Sequence, residues 1–296
     1  MSELIDLIKQ LRERTGAGLM DCKKALLAND NDISKASTWL REKGIAKQEQ
    51  KAATRIAAEG VAWVVTEGDR AAVIEINCET DFVANSDPFR ELVKTVAGVI
   101  LRDEPADMDT AIVAKDENGK TIKDLFVDAG IKLGEKLDFR RFVIVHKNAD
   151  EHFGPYIHMK GKIAVLAVVK GGDDEIANGI ALNICSCNPS YIAESDIPGD
   201  VIARETEIEK EASKNDPAFA KKPEAIQNKI IEGRVRKNLC DNVLDDELYV
   251  LDQEKKVKDV LKSSDASVTS FVRYAVGEGI EKRKDDFAAE VASQVK

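Results

Sequence analysis

The side chains best suited to forming a functional site lie together in one stretch, residues 79–85. Glu79 and Asp81 supply carboxylates, Thr80 supplies a hydroxyl and Phe82 places an aromatic ring beside them. Such a mixture, on a connection between a strand and a helix, is typical of a binding loop. The alternative is that Phe82 simply covers the sheet. Nothing in the stretch has the pattern of a catalytic site.

The cysteine thiols and histidine imidazoles of the chain do not have the pattern of a catalytic site either. The five cysteines are odd in number, scattered and without CxxC spacing: Cys22, Cys78, Cys185, Cys187 and Cys240. Cys185 and Cys187 could form a redox or metal-binding pair, but their apolar surroundings favour buried thiols. The histidines, His146, His152 and His158, have no Ser or Cys signature near them. We therefore predict no catalytic residue, no metal site and no cofactor, and expect that the protein is not an enzyme.

Composition restricts the partners and the compartment. With 296 residues and 43% hydrophobic content, the chain can bury a sizeable core, and its length predicts about two domains. The net charge of -10 repels phosphate backbones, so we expect a protein partner and no direct nucleic-acid contact. The N-terminus has no signal or transit peptide pattern, and the longest apolar run, residues 163–169, is far short of the ~20 residues of a membrane span. We expect a cytoplasmic protein that does not bind membranes.

The elements that position the loop are a hairpin and a helix. Residues 60–66 and 70–76 read as antiparallel strands joined by a tight turn. A helix follows, in which Asp87 is expected to be the N-cap and Pro88 the first helical residue. Its apolar face consists of Phe89, Leu92, Val93, Val96 and Ile100.

The same order of elements occurs again further along the chain. Residues 156–159 and 162–169 read as strands, and a helix face follows at Ile176, Ile180 and Ile184. This duplication predicts two related subdomains, each with a small antiparallel sheet covered by helices. The second copy has KGGDDE where the first has ETDFVA, so building the unit does not require the acidic aromatic loop. That difference favours a functional role for the loop.

Helical segments complete the chain. The N-terminal pattern predicts three helices ending at Lys43-Gly44, followed by an exposed helical linker at 47–59. Residues 200–240 read as a charged helical hairpin with a thin seam of Ile202, Ile226 and Ile230. The last amphipathic helix contains Phe287, Ala288, Val291 and Val295. The predicted class is α+β, with an N-terminal module and linker (1–55), a first core subdomain (56–140), a second core subdomain (141–199 and 241–279), the hairpin (200–240) and a C-terminal module (280–296).

Three segments carry a resemblance to a known family. LRERTGAGLMDCKKAL at 11–26, EINCETDFVA at 75–84 and VGEGIE at 276–281 closely resemble bacterial elongation factor Ts, and the resemblance covers the whole chain in order. It implies that the N-terminal helices form a ubiquitin-associated-like module. Departures occur at Asn85, where the family often has a basic residue, and at Lys162 and Ala164, where Arg and Gly are common.

The resemblance implies a function and a set of site residues. The function is guanine-nucleotide exchange on elongation factor Tu, with displacement of Mg²⁺ and GDP, in a 1:1 complex or a dimer of heterodimers. Its central residues are Thr80, Asp81, Phe82 and Val83. Further candidate contacts are Leu11, Arg12, Thr15, Gly16, His158, Gly161, Phe287 and Val291. The alternative is a non-enzymatic adaptor or scaffold that binds other proteins through its N-terminal helices.

Overall fold

The chain has the α+β architecture that the sequence predicts. The computed structural model describes residues 2–214, 217–220 and 222–280, and among these it leaves out the side chains of 2–3, 45–54 and 217–218. The C-terminal helix expected around Phe287 and Val291 lies outside the described residues. No helix within the described part of the chain is long and apolar enough to cross a bilayer.

Helices and strands alternate in groups along the chain. The helices are α1 (Ser2–Thr15), α2 (Leu19–Ala28), α3 (Ile33–Thr54), α4 (Asp81–Ala84), α5 (Asp87–Asp103), α6 (Met108–Val113), α7 (Ile122–Leu133), α8 (Asp174–Cys187), α9 (Gly199–Ser213), α10 (Pro217–Ala220), α11 (Glu224–Cys240) and α12 (Val257–Ser263). The strands are β1 (Glu59–Glu67), β2 (Arg70–Cys78), β3 (Asp138–His146), β4 (Glu151–His158), β5 (Ile163–Lys170), β6 (Leu248–Tyr249), β7 (Asp252–Lys256) and β8 (Ser267–Ala275).

The three N-terminal helices enclose a small core of their own. Leu11, Cys22, Ala25 and Leu26 are fully buried within it. Asp32 caps α3, because its Oδ1 accepts a hydrogen bond from Lys35 N at 2.9 Å.

The predicted helix stop at Gly44 is wrong, because α3 continues to Thr54. A Cβ on Gly44 would lie 2.1 Å from Cδ1 of Ile131 in α7. The glycine is therefore explained by the close approach of these two helices and not by a helix end.

The described chain forms two compact units. The first comprises the described residues of Met1–Val145, Met159–Ile163 and Tyr274–Lys296. Its sheet has the strand order β1-β2-β3, and β1 pairs antiparallel with β2 in the register Val64 to Val73. Residues 71–78 of β2 are all buried, and α5 covers them with its apolar face. Strand β3 was not identified in the sequence analysis.

Glu75 on β2 is the charged residue at the centre of this first unit. Its side chain is fully buried, and its carboxylate pairs with Arg140 and Arg141 of β3 at 2.9 and 2.6 Å. Gly277 N, just beyond β8, donates to Glu75 Oε1 at 2.9 Å. The carboxylate therefore connects three separate segments of the first unit.

The second unit comprises His146–His158 and Ala164–Arg273. It is built on the sheet β4-β5-β8. Residues 164–169 of β5 are buried, as are Ile180 and Ile184 on α8. A Cβ on Gly154 of β4 would lie 2.0 Å from the Ala177 carbonyl oxygen of α8, so only glycine permits this approach of helix to strand. The repeated hairpin-and-helix pattern thus forms in both units.

The charged segment after residue 198 forms the expected pair of helices, α9 and α11. The seam between them differs from the prediction: Ile202 and Ile226 are 40% and 47% exposed. The buried cluster consists of Phe219, Ile231 and Val235, and of the three predicted residues only Ile230 is among the partly buried side chains that pack against it. Phe219 lies on the short helix α10, which local patterns did not predict.

Candidate functional site

The predicted connection between strand and helix, residues 79–85, contains a capped helical turn, α4. Thr80 is the N-cap, and its Oγ1 accepts a hydrogen bond from Val83 N at 3.3 Å. Asn85 closes the other end by donating through Nδ2 to the Asp81 carbonyl oxygen at 2.8 Å. The tip therefore has one defined backbone geometry.

The boundary between α4 and α5 lies one residue earlier than predicted. Ser86 is the N-cap of α5, and Asp87 is its first helical residue. Ser86 Oγ donates to the Val83 carbonyl oxygen at 2.7 Å, so this hydroxyl completes α4 and does not cap α5. Pro88 then occupies a position in the first turn where its missing N–H costs nothing.

The exposure of Phe82 bears on the interpretation that its ring covers the sheet. Its side chain is 85% exposed, the highest value among the exposed large apolar side chains of the described residues. The neighbours that face the core are Ala84, which is buried, and Val83, which packs partly against it. Phe82 therefore does not cover the sheet, and Asp81 is exposed beside it.

Two acidic residues hold the N-terminal end of the turn. Glu135 Oε2 accepts hydrogen bonds from Glu79 N and Thr80 N at 3.0 and 3.1 Å, and Oε1 accepts from Thr80 Oγ1 at 2.6 Å. Glu79 in turn pairs with Arg55 Nη1 at 3.1 Å and accepts from Lys136 N at 2.6 Å. The sequence analysis did not identify Glu135, Lys136 or Arg55, since no local pattern connects them to the loop.

The C-terminal side of the turn lies against the connection between β4 and β5. Arg90 Nη2 donates to Asn85 Oδ1 at 3.3 Å and to the Lys160 carbonyl oxygen at 3.0 Å. In that connection Gly161 has a φ of +94°, and a Cβ there would lie 2.7 Å from Val61 Cγ1. Gly161 is buried, so the structure gives it a conformational role.

The remaining candidate contacts lie elsewhere in the fold. Leu11 is fully buried in the N-terminal core, so its side chain presents no surface. Thr15 Oγ1 donates to the Leu11 carbonyl oxygen at 2.7 Å, and Gly16 ends α1 with a φ of +67°. Arg12 is exposed. His158, in the second unit, stacks on Tyr156 with ring centroids 5.9 Å apart.

The cysteines of the described chain are free thiols with little nucleophilic character. Burial raises the pKa of Cys78 to about 12 and that of Cys187 to about 11. Burial also raises the pKa of Cys185, which lies inside the second unit. Because the thiolate is the reactive form, these groups are poorly suited to nucleophilic or redox chemistry.

One group in the described residues has the composition of a metal site. Ligand atoms of Glu194, Cys240 and Asp246 all lie within 4.8 Å of one another. Arg236 Nη2 pairs with Glu194 at 2.8 Å, and Lys258 Nζ pairs with Asp246 at 2.7 Å. These cations already balance the carboxylates, and burial together with hydrogen bonding to Glu194 raises the pKa of Cys240 to about 11. The donor set therefore fits an ion-pair cluster better than a bound cation.

Comparison with known proteins is consistent with this architecture. The family model described as Elongation factor TS matches residues 79–278, and the model described as Elongation factor Ts, mitochondrial, N-terminal, matches residues 2–49. Elongation factor Ts of Lactiplantibacillus plantarum is 44% identical over 289 residues, covering 98% of this chain and 97% of the relative. Elongation factor Ts of Limosilactobacillus reuteri is 43% identical over 288 residues, covering 97% of each.

The α+β fold and these matches together place the chain in the class of translation elongation factors. More specifically, the chain belongs to the elongation factor Ts family.

Proposed function

We propose that this protein is a guanine-nucleotide exchange factor for elongation factor Tu. It binds the GDP complex, displaces Mg²⁺ and GDP, and so allows GTP to be loaded during translation elongation. The observation that carries the proposal is Phe82, exposed on a capped turn that is anchored at both ends. It lies within EINCETDFVA, one of the segments on which the family resemblance rests.

The mechanism is differential binding. An exchange factor must bind the nucleotide-poor partner more tightly than the loaded one, and each tenfold loosening of GDP requires about 1.4 kcal/mol of that difference. By thermodynamic linkage, the nucleotide loosens the factor by the same ratio. No bond is made or broken by this chain, and the magnesium ion belongs to the partner.

The shape of α4 suits this role. An aromatic side chain buries a large area while losing few rotamers, and Phe82 has almost all of its surface available. Asp81 and Phe82 would enter the nucleotide-binding domain of the partner and shift the elements that hold phosphate and magnesium. Thr80 and Val83 would shape and flank the tip.

One helical turn is too small to form the whole interface. A stable complex usually buries at least ~1,200 Å² in total, so other surfaces must contribute. The N-terminal module exposes Leu19 and Met20, at 53% and 58%. We propose that this module adds contact area while α4 supplies the coupling to the nucleotide. The proposal includes a cytoplasmic location and no direct nucleic-acid contact.

A stopped-flow measurement tests the proposal. Release of fluorescent GDP from elongation factor Tu is followed with the natural protein, Phe82→Ala and Asp81→Ala, with Leu251→Ala as a control for another exposed apolar side chain. We expect the natural protein and the control to accelerate release and Phe82→Ala to lose much of that effect. Equal acceleration by all variants would mean that exchange occurs but does not depend on α4.

An adaptor function is the second candidate. The N-terminal module exposes several apolar side chains that could bind other proteins: Ile5, Leu19, Met20 and Leu27. An adaptor would bind elongation factor Tu or another protein without changing the rate of nucleotide release. Binding without acceleration in the same assay would favour this function.

A further inference from the structure

We propose that Glu135 is a positioning residue for nucleotide exchange. Its carboxylate holds the N-terminal end of α4 so that Phe82 is presented in one orientation before the partner arrives. The inference rests on the proposed exchange function and extends it to a residue that acts through Phe82.

The Glu135 carboxylate accepts the hydrogen bonds at the start of α4. Backbone N–H groups at and just before a helix N-terminus have no acceptor within the helix and need one from outside. Thr80 N, at the N-cap of α4, and Glu79 N, which precedes the cap, both donate to Glu135 Oε2, and the Thr80 hydroxyl donates to Glu135 Oε1. One carboxylate thus accepts three hydrogen bonds from two consecutive residues. Hydrogen bonds to an ionised acceptor are roughly twice as strong as neutral ones.

The hydrogen bonding between residues 79–80 and residues 135–136 is reciprocal. Lys136 N donates to Glu79 Oε1 at 2.6 Å, while Glu79 N donates to Glu135 Oε2 at 3.0 Å. Arg55 Nη1 lies 3.1 Å from Glu79 Oε2, which places a cation beside the Glu79 carboxylate. Lys136 Nζ also donates to the Arg55 carbonyl oxygen at 3.1 Å. We call Arg55, Glu79, Glu135 and Lys136 the clasp.

Glu135 reaches the loop from the C-terminal end of α7. It follows α7, whose C-cap, Gly134, has a φ of +76°. This left-handed conformation is favourable for glycine and turns the chain sharply at the helix end. Glu135 is 55 residues away from Thr80 in the sequence. The contact between them therefore depends on how α7 packs against the other elements of the first unit.

The short helix α4 needs an anchor outside itself. The helix α4 has four residues, too few to be stable alone, and Phe82 is 85% exposed, so its ring cannot hold the turn in place. Ala84 and Val83 fix the C-terminal side by packing into the core. The clasp fixes the N-terminal side. A turn that is ordered beforehand loses less conformational entropy on binding, and more of the interaction then contributes to loosening the nucleotide.

The test combines kinetics with hydrogen exchange. Four proteins are compared with the natural one: Glu135→Ala, Glu135→Gln, Phe82→Ala and the double variant Glu135→Ala/Phe82→Ala. Glu117→Ala, an exposed glutamate of the first unit, is the matched control. The maximal rate of GDP release and the factor concentration giving half of it are measured separately. Amide exchange at Glu79 and Thr80 is measured in the free proteins.

We expect Glu135→Ala to lower the maximal acceleration roughly tenfold, equivalent to about 1.4 kcal/mol of coupling, with a smaller change in the half-saturating concentration. In the Phe82→Ala background the same substitution should have almost no further effect, because Glu135 acts through Phe82. Glu135→Gln should stay within about threefold of the natural protein, since its amide can keep all three contacts if the Thr80 hydroxyl turns to accept. Amide exchange at Glu79 and Thr80 should accelerate in the two variants that carry Glu135→Ala and stay unchanged in Phe82→Ala, Glu135→Gln and Glu117→Ala.

Other outcomes would overturn the inference. Full acceleration by Glu135→Ala, or effects of Glu135→Ala and Phe82→Ala that simply add, would show that the carboxylate does not act through the loop. If Glu135→Ala fails to fold, Thr80→Val, which removes the hydroxyl donor, should show the same selective loss of maximal rate. If the natural protein does not accelerate release at all, the exchange function fails, and unchanged amide exchange in Glu135→Ala would then reject the clasp independently.

Discussion

Arg141 Nε lies 2.6 Å from Oε2 of Glu75, a carboxylate with no solvent exposure. Its other oxygen accepts from Arg140 Nη1 and from Gly277 N, both at 2.9 Å. Burial by itself raises the pKa of Glu75, but these donors outweigh it, and the pKa is lowered from its ordinary value of 4.5. The buried acid is therefore ionised in the folded protein and joins β2, β3 and the turn after β8.

This relationship predicts a loss of stability in acid. Because the folded-state pKa of Glu75 is below 4.5, its contribution is fully present above that pH and is lost as the pH falls through the folded value. Urea unfolding from about pH 7 to about pH 3 should show the decline. Glu75→Gln should remove this component and lower the free energy of unfolding at neutral pH by about 3 kcal/mol.

The control for this measurement is Glu67→Gln. Glu67 forms an ion pair with Arg70 at 3.0 Å, and its side chain is 70% exposed. The substitution should change the free energy of unfolding by less than about 1 kcal/mol at any pH. An acid-dependent decline of equal size in Glu75→Gln and the natural protein would assign the effect to other carboxylates.

The two phenylalanines near α4 should separate stability from function. Phe82→Ala removes an 85% exposed ring, so the free energy of unfolding should change by no more than about 0.5 kcal/mol. Phe89→Ala removes a fully buried ring from α5 and should cost about 3–5 kcal/mol. Thermal or urea unfolding of both variants provides the measurement. A large destabilisation by Phe82→Ala would mean that this ring packs against the fold after all.

Replacing the helical glycines Gly44 and Gly98 by alanine should have opposite effects on the free energy of unfolding. Nothing lies within 4 Å of a Cβ on Gly98, so Gly98→Ala should stabilise α5 by about 0.5–1 kcal/mol. A Cβ on Gly44 would meet Ile131 Cδ1 and Cγ1 at 2.1 and 2.4 Å, so Gly44→Ala should destabilise by about 1–3 kcal/mol. Adding Ile131→Ala should relieve the clash. Losses that simply add in the double variant would contradict the close approach of α3 and α7.

The thiols predict a pattern of slow alkylation. Burial raises the pKa of Cys78 to about 12, so on the order of 10⁻⁵ of it is thiolate at neutral pH. A short pulse of iodoacetamide followed by mass spectrometry should leave Cys78 and Cys185 unlabelled in the native protein. Both should react readily in urea. Native labelling of Cys78 at the unfolded rate would show that β2 opens locally.

Much of the architecture could be predicted from local patterns. The hairpin of β1 and β2, the helix α5 and their second occurrence at β4, β5 and α8 follow from alternation, turn residues and apolar spacing. These signals depend on residues only a few positions apart. The ends of helices were predicted less accurately. Gly44 was expected to end α3, which continues to Thr54, and Asp87 was expected to be the N-cap of α5, whereas Ser86 is. Gly44 lies against Ile131 of a distant helix, which its neighbours in sequence do not reveal, whereas the Ser86 hydroxyl bonds locally to the Val83 carbonyl oxygen of α4.

The sequence by itself determined the family, the α+β class and the position of the acidic aromatic loop. It left open whether Phe82 covers the sheet, and only the tertiary structure decided that the ring is exposed while Ala84 points into the core. The contact of Glu135 with Thr80 likewise joins residues 55 positions apart. The physical reason is that burial and long-range hydrogen bonds depend on how whole elements pack, whereas periodicity and capping act within a few residues.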